Sequence, residues 1–404
     1  MSIRLHGRLS SPPLPTGRKA GHPADLPVTE KGAPMKVPLS KPYVDSEMKQ
    51  KVLEVIDSGQ YILGKHCRAF EEAFARFIGA KHAVLTSSGT SAIFLCLKAL
   101  GLGPGDEILV PSLTAFPTVE PIFHTGARPI FVDIDETFTM DPGEVEKVLT
   151  ERIQQPGGGR VKGIVPVHLY GHPVDLNPIL DLAKRHRLFV LEDCCQAHGA
   201  KYRGRRVGSM GIAGCFSFYP SKNLTVFGDG GILVTSDDKL AETCRMLRDH
   251  GRKEKYDHEL VGYNLRFNEI QAVVGRLQLQ RLEGFNESRR QIARWYNDGL
   301  KGTSVITPKA RDWAEPVYHL YVIQTPVRDR LADYLKEKEI QTGIHYPVPC
   351  HVQPAVKTTL GPQPKLGRTE EVVAQILSLP MYPELEKEKV DFVCAAIKEF
   401  FLRV

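Results

Sequence analysis

The chain has 404 residues, 42% of them hydrophobic and 25% charged, with a formal net charge of +6. That length exceeds what one hydrophobic core usually supports, so two domains are expected, and the balance is that of an ordinary soluble globular protein. The mild positive charge favours an anionic ligand. With no basic stripe and no recognition-helix, RNA-binding or zinc-finger signature, it does not indicate nucleic-acid binding.

Residues 1–35 lack hydrophobic periodicity, are rich in Pro, Gly, Arg and Lys, and contain no apolar core of a secretory signal; they read as a disordered tail. The pattern from 45 to 79 is helical in two pieces. Short apolar strands then alternate with helices: strand Ala83–Thr86, helix Ser91–Leu100, strand Glu107–Val110, a helix near Thr118–His124, strand Pro129–Val132, strand Gly163–Val167, helix Asn177–Arg187 and strand Leu188–Leu191. This alternation predicts a mainly parallel sheet covered by helices on both faces, an α/β fold. Strands Cys215–Phe218 and Gly231–Thr235 follow as a pair. A long helix over Asn268–Leu300, rich in good helix formers, leads into a smaller α+β part with an element at Tyr318–Gln324 and helices at Asp329–Lys338 and Val390–Phe400. The expected division is a tail over 1–35, a large domain over 36–285 and a small C-terminal domain over 286–404. No apolar run reaches the ~20 residues of a membrane span. The eight cysteines form no CxxC pair and read as buried reduced thiols of a cytoplasmic protein, neither disulfides nor metal ligands.

Ligands of open parallel sheets bind outside the carboxyl ends of the strands. After Thr86 comes Ser87-Ser88-Gly89-Thr90-Ser91, small residues opening a helix. They offer free N–H groups to a phosphate, or simply an N-cap. The strand ending at Leu191 runs into Glu192-Asp193, where an acid serves ribose or metal binding or plain loop capping. Ser217 lies on the next buried strand, and Lys222 follows in FSFYPSKNL before FGDGG (216–231). A lone lysine there reads as a snorkelling surface residue. With a carboxylate and a phosphate cradle in the same order, it reads as a desolvated amine nucleophile of a pyridoxal phosphate site. No GxGxxG follows any predicted strand, which weakens a dinucleotide reading.

Together these segments resemble the DegT/DnrJ/EryC1/StrS family of sugar aminotransferases, within the fold-type-I pyridoxal phosphate enzymes. The resemblance runs from about Met35 to the carboxyl end. It is carried by SSGTSA (87–92), GPGDEILVPSLTAF (103–116), FVDID (131–135), EDCCQAHGA (192–200), FSFYPSKNL with FGDGG, GYNLRFNEIQA (262–272), GIHYPVPCHVQPA (343–355) and LPMYPEL (379–385). It implies that Lys222 forms the Schiff base and shuttles the proton, that Asp193 pairs with the pyridine nitrogen, and that Gln196 packs by the ring. The phosphate would be held at Gly89, Thr90 and Ser91 and by Ser217, with Asn264 reaching the cofactor of a neighbouring subunit in a homodimer with shared sites. His345, Tyr346 and His351 fall where the family contacts its sugar nucleotide. Many members stack an aromatic on the ring where this chain has Ala115, so either Phe116 takes over the stacking or the ring face is covered otherwise. The implied reaction moves an amino group from L-glutamate, through the pyridoxamine phosphate form, to a nucleotide-linked 3- or 4-keto-sugar, for antibiotic or glycan biosynthesis. A keto-inositol (cyclitol) aminotransferase and a non-catalytic, cofactor-binding regulatory protein are the alternatives. The dehydratase branch carries histidine in place of the lysine, and Lys222 argues against it.

Overall fold

The computed structural model describes residues 35–154 and 160–403, and the expected tail lies outside them apart from Met35. Strands β1 (His82–Thr86), β2 (Asp106–Pro111), β3 (Arg128–Val132), β4 (Arg160–Ile164), β5 (Phe189–Asp193), β6 (Ala213–Ser217) and β7 (Gly231–Thr235) form one seven-stranded sheet in the order β1-β7-β6-β5-β4-β2-β3. Strand β7 runs antiparallel to both its neighbours, β1 and β6, while β6-β5, β5-β4, β4-β2 and β2-β3 are parallel. The carboxyl ends of all strands but β7 therefore share one edge of the sheet. Most of these strands are buried along nearly their whole length, as continuous apolar runs in a covered parallel sheet should be.

Helices cover both faces. The amino-terminal pair is α1 (Ser46–Ser58) and α2 (Lys65–Ile78). Asp45 caps α1 by accepting the Met48 N–H at 2.9 Å, and Gly59 ends it in the left-handed conformation that glycine tolerates best. Cys67, Phe70, Phe74 and Ile78 line one face of α2 and pack on one side of the sheet with Phe216 and Phe218. On the other side lie α3 (Gly89–Ala99), α4 (Glu120–Thr125) and α7 (Asp238–Arg248), whose Ile93, Ile122 and Leu240 join Val84, Ile108 and Leu233. Helices α5 (Pro142–Gln154) and α6 (Leu176–His186) complete the large sheet's cover.

Helix α8 (Glu269–Gly299) is capped by Asn268, which accepts the Gln271 N–H at 2.8 Å. It runs without interruption through residue 285, the expected end of the large domain. Beyond it, β8 (Tyr321–Gln324) pairs antiparallel with β9 (Ile376–Leu379). Around this pair lie α9 (Arg328–Glu337), α10 (Pro354–Leu360), α11 (Gly367–Val373) and α12 (Lys387–Leu402).

The predicted elements largely stand, with physical reasons for the differences. The strand expected at Gly163–Val167 starts earlier and stops at Ile164, because Pro166 has no N–H to continue the ladder. Val165 N still reaches Leu109 O at 2.8 Å, and Val167 bridges Asp193. The helix expected near Thr118 is a 3₁₀ turn at Phe116–Thr118 followed by α4. Helices α5 and α7 were not foreseen. Helix α5 buries only Val145 and Leu149, too few for a clear period, whereas α7 buries Leu240, Ala241, Cys244 and Leu247 at helical spacing that the sequence does carry. All eight cysteines are free, and all but Cys195 are buried. Among the described residues no helix is long and apolar enough to cross a membrane.

Candidate active site

The shared edge brings together the segments singled out above. At the end of β1, Ser88 caps α3 by accepting the Ser91 N–H at 3.0 Å, and its hydroxyl lies 2.9 Å from that of Ser91. The first N–H groups of α3 have no partners within the helix, so Gly89 and Thr90 present donors at the sheet edge. Gly89 is buried, and a Cβ there would fall 2.7 Å from Ser217 Cβ and 2.8 Å from Cys195 Sγ. Any side chain would thus fill the space between α3, Ser217 and Cys195. Gly231, which opens β7, lies under Ser88 for the same reason.

Asp193 ends β5, is 3% exposed, and is locked from both sides. Thr118 donates its hydroxyl to Oδ2 at 2.7 Å, and the Cys195 N–H donates to Oδ1 at 2.9 Å. Behind it the buried His168, Glu192 and Cys194 cluster. Glu192 accepts N–H groups from Gly208, Met210 and Gly211, each at 2.7 Å, and lies 3.2 Å from His168 Nε2. Val174 N–H donates to His168 Nδ1, so Nε2 carries the proton and donates to the carboxylate. Burial alone would raise the Glu192 pKa, but the His168 contact and the backbone donors outweigh it and hold the carboxyl below its ordinary value. This cluster is a buried anchor beneath Asp193 with its polar capacity used internally.

Gln196 is likewise fixed: its Oε1 accepts the Tyr170 N–H at 3.0 Å, and its Nε2 donates to Tyr346 Oη at 3.1 Å. Tyr170 donates its hydroxyl to the His345 carbonyl, and His345 Nδ1 lies 2.9 Å from Ser378 Oγ on β9. The carboxyl-terminal segment is therefore stitched to the large sheet at the site itself. Burial raises the Tyr346 phenol well above its ordinary value.

Lys222 sits in the segment between β6 and β7. By area the side chain is half-buried, but its charged end lies in dense packing, and burial lowers the ammonium pKa against the opposing pull of Cys195 and Asp193. Nζ lies 3.4 Å from His319 Nε2. Burial also depresses the pKa of His198, to about 3, and of His319 and His345, with Lys222 adding to each.

Other predicted residues stand apart. Asn264 is exposed, although its neighbour Leu265 accepts the Ser87 N–H at 3.1 Å. Phe116 is half-buried against the helical core around α3 and α4. His351 is buried, with Nδ1 2.5 Å from Ser112 Oγ and Nε2 3.2 Å from Glu370, so both ring nitrogens are engaged within the chain. Sequence reasoning missed Thr118, which was read only as helix, and His319, which lies just before a strand with no motif to mark it.

A reversed strand β7 within an otherwise parallel sheet, with a half-buried lysine, an aspartate and a glycine-opened helix at the shared carboxyl edge, has the fold-type-I architecture of pyridoxal phosphate aminotransferases. Residues 42–398 match the model of the DegT/DnrJ/EryC1/StrS aminotransferase family, and the chain belongs to that family. It is 43% identical over 361 residues, 89% of this chain and 93% of the relative, to a dTDP-3-amino-3,4,6-trideoxy-alpha-D-glucose transaminase of Streptomyces venezuelae. It is 42% identical over 371 residues, 90% of this chain and 97% of the relative, to a Geobacillus stearothermophilus protein named pleiotropic regulatory protein. The X-ray structure of S. venezuelae DesV in complex with a ketimine intermediate matches with a TM-score of 0.85 and 41% identity, covering 91% of this chain and 99% of that one.

Proposed function

We propose that this aminotransferase binds pyridoxal phosphate at Lys222 and moves an amino group from L-glutamate to a nucleotide-linked keto-sugar. The observation that carries the reading is one sheet edge holding a desolvated amine, a carboxylate clamped by Thr118 and Cys195, and a cradle that a single Cβ at Gly89 would fill. These groups fit the cofactor's chemistry: an amine for its aldehyde, an anion for its pyridinium and N–H donors for its phosphate. Lys222 would hold it covalently and Asp193 would pair with the ring nitrogen. Gly89, Thr90, Ser91 and Ser217 would bind the phosphate, with Gln196 and Phe116 against the ring. When bound, the cofactor supplies an electron sink for the carbon that loses its proton.

The chain's own residues do the rest. Burial biases the Lys222 amine toward its free-base form, which can take a proton from the substrate carbon and return it. The clamp on Asp193 keeps the carboxylate oriented without rearrangement during turnover. The Gln196–Tyr346–Tyr170 network fixes the carboxyl-terminal side of the site. His345, Tyr346 and the segment around His351 form the sugar-nucleotide side, and Asn264 serves the site of a second copy in a homodimer. The division into a large domain to residue 285 and a small one beyond belongs to this reading, as does a cytoplasmic location.

The test is direct. Lys222→Ala should abolish turnover and the visible absorbance of the bound cofactor, and retained turnover refutes the assignment. Assays of 3-keto and 4-keto nucleotide sugars and of a keto-inositol with L-glutamate, with products identified by NMR, decide the acceptor. A purely regulatory protein would leave the cofactor spectrum unchanged on adding L-glutamate.

A further inference from the structure

We infer that His319 is a positioning residue for the Lys222 amine: it is a neutral imidazole, locked in place by the backbone, whose Nε2 accepts an N–H from Nζ and so fixes where the nitrogen lone pair points. The inference rests on the proposed role of Lys222 but concerns a residue with no part in that assignment.

His319 is 5% exposed, and its Nε2 lies 3.4 Å from Nζ, at the outer edge of hydrogen-bond range. Among the described residues its Nδ1 has no partner. The segment that carries it is held from several directions. Arg289 on α8, itself 3% exposed, donates to the carbonyls of Tyr318 at 3.1 Å, His319 at 3.3 Å and Met381 at 3.2 Å. Asn223, the residue after Lys222, donates to Val317 O and to Asn286 Oδ1, both at 3.0 Å. Val317 N–H donates to Gly171 O at 3.0 Å, and Leu320 N–H to Tyr170 O at 3.4 Å. One asparagine thus ties the lysine's own segment to the segment of its imidazole neighbour.

The charges around His319 explain why it stays neutral. The groups that act on it are Lys222, Arg289, His345 and His198, none of them an anion, and burial adds to their effect. A proton on the ring would place a second cation beside Lys222 and near Arg289 in a dry pocket. The ring therefore keeps one lone pair, and we place its proton on Nδ1, which leaves that lone pair on Nε2 facing Nζ. An amine that gives one N–H to this acceptor has its own lone pair turned elsewhere, and the three-bond freedom of the lysine tip is lost before any ligand arrives. Among the described residues Nζ makes no hydrogen bond to a carboxylate; its hydrogen-bond contact is with His319 Nε2.

The experiment uses the full chain freed of cofactor and reads the amine itself. Acetylation of Lys222 by acetic anhydride is followed by mass spectrometry against pH in the wild type, His319→Leu and His319→Gln. A hydrogen bond to an acceptor favours the ammonium, so His319→Leu should lower the midpoint by about one pH unit, and His319→Gln, which keeps an acceptor, should restore it. An unchanged midpoint in a folded His319→Leu overturns the inference. Should that variant fail to fold, ¹⁵N-histidine NMR of the wild type decides. His319 is expected to show an unprotonated Nε2 and no titration from about pH 6 to 9; a protonated Nε2 or a titration in that range overturns it. Activity surviving Lys222→Ala would instead refute the proposed reaction and leave the labelling comparison intact.

Discussion

Buried histidines add to the acid sensitivity of this molecule one residue at a time. His172, packed edge-on against Trp313, is pushed down to about 4 by burial, and His198 to about 3. In the unfolded chain both would take a proton near pH 6.5. Their folded pKa values are depressed, so the stability they contribute is fully present above about pH 6.5 and is lost as pH falls toward 4, by about 1.4 kcal/mol per pH unit for each histidine. The melting temperature should therefore drop across that window, and His172→Asn should flatten the drop; an equal slope in wild type and variant would refute this. These residues also mark what the sequence could and could not tell. Asp193, Lys222 and the Gly89 turn stood out because each lies at or just beyond the end of a recognisable strand, whereas Ser217, on a strand itself, was singled out by the family resemblance. Thr118 and His319 did not stand out, because a threonine beside a proline and a histidine before a strand carry no spacing of their own. Their roles come from the fold bringing residues 118 and 193, or 222 and 319, side by side.

At the scale of elements, the start of α8 also organises α2. Glu269, 1% exposed in the first turn of α8, accepts the N–H groups of Gly64, His66 and Cys67, each at 2.8 Å. It caps another helix's amino end and so adds a favourable charge at the positive end of that dipole. Burial would raise its pKa, but hydrogen bonds with Cys67, His66 and Gly64 hold it below the ordinary value. Removing the carboxylate leaves three donors unpaired, one of them buried and two part-buried, so Glu269→Ala should cost about 2–3 kcal/mol of stability. Glu269→Gln should cost less, since its carbonyl keeps part of the cap; urea unfolding of the two variants measures both. The sequence made α8 and α2 separately visible through their periodicity. It could not show that one helix terminates the orphan donors of the other, a pairing made across 205 positions of sequence.

For the whole molecule, the exposed Asn264, whose neighbour Leu265 accepts the Ser87 N–H beside the proposed phosphate cradle, makes a prediction about assembly. If each site takes Lys222 from one copy and Asn264 from another, Lys222→Ala and Asn264→Ala should each be impaired as pure proteins. After mixed refolding, half of the dimers would carry one intact site, so activity should recover to about a quarter of the wild-type level. Absence of recovery in verified mixed dimers would show that the sites are not shared. The carboxyl-terminal part is joined to the sheet by a comparable long-range contact. Asp133, at the end of β3, accepts N–H groups from Arg368 at 2.9 Å and Thr369 at 2.8 Å, and the Thr369 hydroxyl at 2.6 Å, at the start of α11.

The reversed strand β7 has one more consequence, for how the protein tolerates change in length. Because β7 begins at the edge where β6 ends, the chain between Phe218 and Gly230 leaves and re-enters the sheet at the same place. Both of its ends are pinned by strand pairing, and the cost of closing such a segment grows slowly with its length. An extra residue there would leave the ladder paired but would swing Lys222 away from Asp193 and His319 and pull at Phe218, Leu224 and Val226, which are buried in the core beside the sheet. Stability and reactivity are therefore coupled in this stretch: a change of length that displaces the lysine also disturbs the buried side chains on either side of it and the Asn223 bonds to Asn286 and Val317.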